Sequence, residues 1–314
     1  MRAVYYERFG PPEVLRAGEQ PPPRPRDGWV RVSVEAAALN PKDVLVRKGK
    51  MRWLARGPFP RIPGYDMAGS LLDDAPGLSA GTPVFGMIQD HTGGACAEIA
   101  LMRSAWLAER PEGLTSVEAA ALPLAGLTAL QALRDELAVG PGQRILLNGA
   151  SGGVGTLAIQ IAKALGAEVI AVCSARNASL VRELGADRVI DYEREHVADE
   201  HDLDGVFDIF GNLPWERARP MLRTRGRYCT TIPRPGTILR DGLRRLHLHR
   251  AALVVVHARR RDLQQLARWV SRGELRPVVD CVVAWNRSQL GHTHIETKRA
   301  RGKVVVDFSE EAVA

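Results

Sequence analysis

The stretch Asn148–Lys163 reads NGASGGVGTLAIQIAK, with four glycines in seven residues followed directly by an apolar helical pattern. An apolar strand pattern, RILLN at 144–148, precedes it. A glycine-rich turn between a strand and a helix is typical of a dinucleotide-binding loop, because N–H groups at the helix start face an anion. Gly152 would let the backbone approach a pyrophosphate, Gly155 would let the helix pack on the strand, and Ala150, in place of the first fingerprint glycine, would tighten the turn. The residues predicted to hold the pyrophosphate are Ser151, Gly152, Gly153, Val154 and Gly155.

Around this loop, apolar strand patterns alternate with helical ones. The predicted strands are Arg144–Asn148, Glu168–Cys173, Arg188–Asp191, Val206–Phe210, Arg227–Thr231 and Ala252–His257. The predicted helices lie at about 153–165, 177–184, 214–223 and 261–272. Strands that are apolar along their whole length and alternate with helices indicate a parallel sheet covered on both faces, so the fold class is α/β with a doubly wound parallel sheet.

The flanking regions have β character. From Trp29 onward, valines alternate with polar residues at a period of two, and proline and glycine punctuate the chain up to about Gly94. The last forty residues, with RPVVDCVVAW and GKVVVDF, return to this pattern. We therefore predict a β-rich domain from residues 1–120 plus 275–314 and an α/β domain from 121–274.

The end of the second predicted strand bears on the choice of cofactor. An acidic residue there would accept the ribose hydroxyls of NAD, but the sequence is AVCSARNAS, without Asp or Glu. Ser174, Arg176 and Asn177 offer a hydroxyl, a cation and an amide, all suited to a 2′-phosphate. The sequence therefore predicts NADPH rather than NADH.

Composition limits the other classes. The 314 residues are 45% hydrophobic and 25% charged, as in a soluble globular protein, and the longest apolar run, Ala251–Val256, is far too short to cross a bilayer. The four cysteines are widely spaced, which fits free thiols in a reducing compartment. We expect a cytoplasmic protein with no membrane partner.

Eight motifs occur in the order that is found in the medium-chain dehydrogenase/reductase superfamily. They are VEAAALNPKDVLVRKG (34–49), IPGYDMAG (62–69), GGACAEIA (93–100), LPLAGLTALQAL (122–133), NGASGGVG (148–155), LGADRVIDY (184–192), GELRPVVD (273–280) and RGKVVV (301–306). The chain resembles the zinc-independent quinone oxidoreductase (zeta-crystallin-like) branch. This resemblance implies a GroES-like β domain formed by both chain ends, a Rossmann domain, an active site in the cleft between them and a homodimer. It also implies that Thr128 lies near the nicotinamide and Tyr192 near the adenosine 2′-phosphate.

Zinc-dependent members would have Cys at position 40 and a His-Glu pair at 65 and 66, where this chain has Asn40, Tyr65 and Asp66. Zinc prefers thiolate and imidazole ligands, so no catalytic metal is expected. Without a Lewis acid, the expected reaction is hydride transfer to a small electrophile, either a quinone or an activated C=C. Tyr65 and Asn40 are the candidate hydrogen-bond donors, with Tyr65 as the candidate proton donor.

Neighbouring charged residues have simpler interpretations. Asp43 and Asp66 are expected to hold the β domain together, and Lys42 is expected to be a solvated surface residue rather than a cleft cation. His292 and His294 have a spacing found in metal sites but are expected to be solvated, on a segment, 281–302, that has less helical character than its counterpart in the family.

Three other functions remain open. An enoyl reductase acting on a thioester would have the same fold. An NADPH-binding sensor would bind the cofactor without turnover. RNA binding is suggested by eight arginines within 234–261, but this strip has no Phe, Tyr or Trp for base stacking, which makes nucleic acid an unlikely partner.

Overall fold

The computed structural model describes residues 1–246 and 249–309. Within the first range, Arg245 is described by its backbone alone. The chain forms two compact units. The β unit comprises Met1–Leu124, His257–Gly273 and the described residues from Pro277 onward, and the α/β unit comprises Ala125–Val256 and Glu274–Arg276. The segment His257–Gly273 thus groups with the β unit, although it lies inside the range predicted for the α/β domain. Residues 310–314 of the predicted β domain lie outside the described residues.

The α/β unit is built on six parallel strands. They are β8 (Arg144–Asn148), β9 (Glu168–Cys173), β10 (Arg188–Asp191), β11 (Leu203–Asp208), β12 (Leu222–Thr230) and β13 (Ala251–Leu253). Their order in the sheet is β10-β9-β8-β11-β12-β13, and every pair is parallel. This is the doubly wound order with its switch point between β8 and β11. The predicted α/β fold class is confirmed.

Five helices belong mainly to this unit. They are α3 (Pro123–Gln131), α4 (Gly153–Ala164), α5 (Ala178–Glu183), α6 (Trp215–Ala218) and α7 (Pro235–Arg245). The helix predicted at 214–223 is shorter than expected, since Pro220 follows α6 and cannot continue it. Helix α7 was not predicted, and its apolar residues face outward: Ile238 and Leu239 are exposed while Thr237 and Asp241 are buried.

The β unit contains nine strands in two sheets. They are β1 (Arg2–Tyr5), β2 (Arg16–Glu19), β3 (Trp29–Leu39), β4 (Asp66–Leu71), β5 (Pro83–Met87), β6 (Ile99–Arg103), β7 (Leu107–Glu109), β14 (Val279–Ala284) and β15 (Lys303–Asp307). The larger sheet has the order β14-β15-β3-β4-β5-β7, with β6 also paired to β3, and β1 and β2 form a separate antiparallel pair. Valines, leucines and methionines from these strands fill a single core. The last strand in the described residues, β15, therefore lies inside the sheet between β14 and β3.

Four helices complete the β unit: α1 (Pro41–Arg47), α2 (Ser116–Ala120), α8 (Arg260–Ser271) and α9 (Ser288–Glu296). Helix α9 lies within the segment 281–302 and was not among the predicted helices. Its buried face consists of Ser288, Gly291 and His292 rather than an apolar stripe, and a Cβ added at Gly291 would come within 2.9 Å of Leu39. None of the helices in the described part of the chain is long and apolar enough to cross a membrane.

Candidate functional site

The glycine loop is an open helix start. Helix α4 begins at Gly153, and its N-cap, Gly152, has an extended backbone and makes no side-chain cap. The first N–H groups of a helix have no acceptor within it, so those of α4 are available to a ligand. The turn spans Gly149, Ala150 and Ser151, and the positive φ, +91°, falls on Gly149.

The space around the loop fits a phosphate group. A Cβ added at Gly152 would meet nothing closer than the Gly149 carbonyl oxygen at 3.7 Å, so the region in front of the helix is open. At Gly155, by contrast, a Cβ would lie 2.3 Å from that same oxygen, because the helix packs directly on the turn. One glycine leaves room for an anion, and the other allows the helix to approach the strand.

The end of β9 is tied to this loop. The Asn177 Nδ2 group donates to Ser151 Oγ at 2.9 Å and lies 3.4 Å from Ser174 Oγ. Ser174 and Asn177 are buried, and Asn177 thus fixes the strand end rather than presenting its amide hydrogens to solvent. The structure brings three of the predicted binding residues into one hydrogen-bonded group.

Arg176 and Tyr192 lie at the exposed edge of this group. Arg176 is exposed and makes no hydrogen bond or ion pair to any described residue, so its guanidinium is available. The Tyr192 N–H donates to the Cys173 carbonyl at 3.3 Å, which places this exposed tyrosine beside the end of β9. Thr128 is buried in α3.

A second network at the switch point was missed in the sequence. The Asn148 Nδ2 group donates to Asp208 Oδ1 and to Asn212 Oδ1, both at 2.7 Å. Asp208 also accepts from the backbone of Gly211 and Leu213, and burial raises the pKa of this carboxyl group. The signal was available, because an acid ends the otherwise apolar strand of residues 205–208.

In the β unit, three buried side chains form a charged cluster: Asn40, Asp66 and Lys303. The Lys303 ammonium donates to Asn40 Oδ1 and, at 2.9 Å, to Asp66 Oδ2. The Asn40 Nδ2 group donates to Asp66 Oδ2 at 3.0 Å and to the Ala38 carbonyl at 3.2 Å. Both amide hydrogens of Asn40 are thus used within the unit. Lys303 was not among the predicted residues, because no short-range pattern connects it to Asn40.

Zinc-dependent members are expected to have metal ligands at positions 40, 65 and 66. At two of these positions, Asn40 and Asp66 bind the Lys303 ammonium, and a second cation between them would be repelled. The third, Tyr65, donates its hydroxyl proton to the His91 carbonyl at 2.7 Å. The residues do not fit a zinc ion.

Asp43 supports the same region, as predicted for a structural acid. It is buried, and its two oxygens accept from the Gly64 N–H at 2.7 Å and the Asn40 N–H at 2.8 Å. Burial raises the pKa of this carboxyl to about 6, against the effect of the two hydrogen bonds.

Lys42 differs from its expected surface position. It is half-buried, and its ammonium lies 3.7 Å from the centroid of the Tyr65 ring. Burial lowers the pKa of Lys42 and raises that of Tyr65. The interpretation of Lys42 as a solvated residue was wrong.

The two histidines of α9 differ in environment. His292 is fully buried with neither ring nitrogen hydrogen-bonded, and burial together with nearby Arg47 lowers its pKa to about 3. His294 hydrogen-bonds Asp280 at 2.5 Å, and with Cys281 these form the one group in the described residues whose ligand atoms lie close enough for a metal, within 4.8 Å of one another.

The arginines of 234–261 do not form one free basic face. Arg240 pairs with Glu216, Arg244 pairs with Glu136, and Arg260 donates to three backbone carbonyls of the β unit. The side chain of Arg245 lies outside the described residues.

Known proteins are similar to this chain over 98% of its length. Family models match residues 26–112, described as an alcohol dehydrogenase GroES-like domain, and residues 184–306, described as a zinc-binding dehydrogenase. The quinone-oxidoreductase QR1 of Triphysaria versicolor is 32% identical over 323 residues, covering 98% of each chain. The chain belongs to the medium-chain dehydrogenase/reductase family. It is an oxidoreductase of that family, and the predicted resemblance to the quinone oxidoreductase branch is confirmed.

Two further relatives of this medium-chain reductase are informative. The chloroplastic NADPH-dependent alkenal/one oxidoreductase of Arabidopsis thaliana is 33% identical over 322 residues, covering 98% of this chain and 79% of that protein. The solved quinone oxidoreductase of Coxiella burnetii is 30% identical with a TM-score of 0.89, covering 98% and 99% of the two chains. The GroES-like and Rossmann architecture expected from the resemblance is confirmed.

Proposed function

We propose that the protein is a zinc-independent, NADPH-dependent reductase that transfers a hydride to a quinone or to the activated C=C of an α,β-unsaturated carbonyl. The observation that carries this proposal is the Lys303 ammonium, which binds Asn40 and Asp66 at the positions of metal ligands in zinc-dependent members. The names of the relatives, reductases of quinones and of alkenals or enones, agree with chemistry of this kind.

The α/β unit would hold the cofactor. The N–H groups at the start of α4 would bind the pyrophosphate, and Arg176 would bind the 2′-phosphate beside Ser174 and Tyr192. When bound, the reduced nicotinamide supplies the hydride. Asn40 and Tyr65 would shape the electrophile site from the β unit.

Cofactor choice is tested by Arg176→Ala. We expect the KM for NADPH to rise at least tenfold and the KM for NADH to change less than twofold, because only NADPH has the 2′-phosphate. Arg182→Ala on α5 is a matched control. Equal Michaelis constants for the two cofactors in the native enzyme would contradict the proposal.

The reaction itself is tested with NADPH, a quinone, a 2-alkenal and a crotonyl thioester, after elemental analysis and with a chelator in parallel. We expect turnover of the quinone or the alkenal, no stoichiometric zinc and no effect of the chelator. Turnover of the thioester alone would select an enoyl-thioester reductase. Cofactor binding without any turnover would select a sensor.

Assembly and location are further parts of the proposal. Strand β13 is the edge of the parallel sheet in the described residues. Helix α7 beside it exposes Ile238 by 55% and Leu239 by 66%, and Leu246, directly after the helix, is 67% exposed. Such an apolar surface is typical of an interface, and we assign it to a homodimer. Leu239→Arg should then give a monomer in light scattering. We place the protein in the cytoplasm, although the relatives from Triphysaria versicolor and Arabidopsis thaliana described above are named as chloroplastic, and cell fractionation tests this.

A further inference from the structure

Lys42 has a position that folding alone does not favour. It lies in the first turn of α1, directly after Pro41, and cations near a helix N-terminus oppose the helix dipole. Its ammonium is half-buried, which removes part of its hydration. The contact that supports it is the face of Tyr65, at 3.7 Å from the ring centroid.

Three carboxylates are close enough to act on the charge of Lys42, but none binds it directly. They are Asp43, Asp66 and Asp90. Asp43 uses both oxygens on backbone N–H groups, and Asp66 accepts from Leu124, Asn40 and Lys303. Asp90 accepts from the N–H and hydroxyl of Thr92 through one oxygen. Among the described residues, the Lys42 ammonium therefore makes no hydrogen bond or ion pair, and its N–H donors face no protein acceptor.

The neighbouring side chains of Asn40, Tyr65 and Lys303 have their hydrogen-bond donors occupied or buried. Both amide hydrogens of Asn40 and the hydroxyl hydrogen of Tyr65 are donated to acceptors within the β unit. Lys303 binds Asn40 and Asp66 and is 5% exposed. Of these four side chains, Lys42 is the one with unused donors at an accessible position.

We propose that the Lys42 ammonium binds the carbonyl oxygen of the electrophile and stabilises the negative charge that develops on it during reduction. This inference rests on the proposed function. Hydride addition to the β carbon breaks the C=C π bond, and the electron pair of that bond moves to form an enolate whose oxygen accepts hydrogen bonds from Lys42. A proton from water then adds to the α carbon, which restores the carbonyl, and Lys42 remains protonated. Lys42 would thus supply the electrostatic stabilisation that a Lewis acid supplies in zinc-dependent members.

The test compares Lys42→Met with Lys50→Met, an exposed lysine close after the same helix. For Lys42→Met we expect kcat/KM with the alkenal to fall about 100- to 1000-fold, as for loss of one oxyanion donor. The dissociation constant for NADPH, measured by fluorescence, should change less than twofold, and the melting temperature should stay the same or rise. Lys50→Met should match the native enzyme in all three measurements.

A pH profile separates a charged role from a packing role. The native rate should fall on the alkaline side, as Lys42 loses its proton, and at a lower pH than for an exposed lysine, since burial lowers the pKa of Lys42. Asp43, Asp66, Asp90 and Tyr65 are the charged or titratable groups that face it. Lys42→Arg should retain part of the activity and lose this alkaline fall.

Two results would overturn the inference. One is native kcat/KM in Lys42→Met. The other is weaker NADPH binding with unchanged kcat, which would make Lys42 a cofactor ligand.

If the native enzyme reduces no electrophile, the proposed function fails. The role of Lys42 is then tested by measuring the binding of 4-nitrophenolate, an oxyanion probe, through its visible absorbance. Binding that is lost in Lys42→Met but kept in Lys50→Met would support the oxyanion site. Equal binding in the two variants would exclude it.

Discussion

The candidate site of the α/β unit and that of the β unit are built in opposite ways. In the α/β unit, the start of α4 offers backbone N–H groups in an open space, and the key positions are glycines. In the β unit, the cluster Asn40, Asp66 and Lys303 consists of buried side chains that satisfy one another. A site made of backbone N–H groups tolerates a substitution wherever the added side chain enters empty space. A buried charge cluster, by contrast, loses stability when any one of its side chains is removed.

The largest expected effect is the loss of Lys303. Lys303→Met leaves the Asp66 carboxylate buried without its cation, which should lower the free energy of unfolding by about 3–5 kcal/mol. Urea denaturation measures this. Lys48→Met, which removes one partner of the more exposed Lys48–Glu296 pair, should cost at most about 1 kcal/mol. An equal loss of unfolding free energy in the two variants would mean that the buried cluster contributes no more to stability than the more exposed ion pair.

The backbone site is tested by Gly152→Asp. The side chain enters open space and can cap α4, so the free energy of unfolding should stay the same or rise by up to about 1 kcal/mol. The carboxylate would repel the phosphates, and the dissociation constant for NADPH should rise about 100-fold. Gly140→Asp, also at an open position with an ordinary backbone, should leave NADPH binding unchanged. Tight NADPH binding by Gly152→Asp would place the pyrophosphate elsewhere.

The smallest effect concerns His292, which is buried and has no hydrogen-bond partner among the described residues. Its folded pKa of about 3 is below its unfolded value, so stability is full above about pH 6.5 and falls as the pH decreases towards 3. Between pH 6.5 and 5, this should cost the native protein about 2 kcal/mol. His292→Leu should remove that part of the acid dependence. If the unfolding free energies of the two proteins, measured by urea denaturation, change with pH in parallel, His292 does not cause the acid dependence.

The same contrast explains what the sequence could predict. The strands β8, β9 and β10 were predicted with correct bounds, and the glycine loop was located, because both are encoded by consecutive residues. The hydrogen bond from Asn177 to Ser151 could not be predicted, although each residue was named, because their side chains meet only in the folded protein.

The errors arose where a local pattern conflicts with tertiary packing. Helix α7 exposes its apolar residues and α9 buries small or polar ones, so neither helix packs an apolar stripe against a core. Lys42 reads as a surface residue from its neighbours, and only the position of Tyr65, 23 positions later, reveals its burial. Lys303 lies 237 positions from Asp66, a separation over which no sequence periodicity can connect a charge to its partner.

The location of β15 inside the sheet of the β unit also sets an order of events during synthesis. Asp66 is made 237 residues before the lysine that neutralises it, which at ordinary translation rates of about 5–20 residues per second is a delay of about 10–50 s. Over that interval the whole α/β unit is produced, while the Ala36–Leu39 part of β3 lacks the strand β15 that will pair with it. The nascent β unit therefore presents an open strand edge and an unneutralised acid, and this is the stage at which a ribosome-bound chaperone would have most to protect.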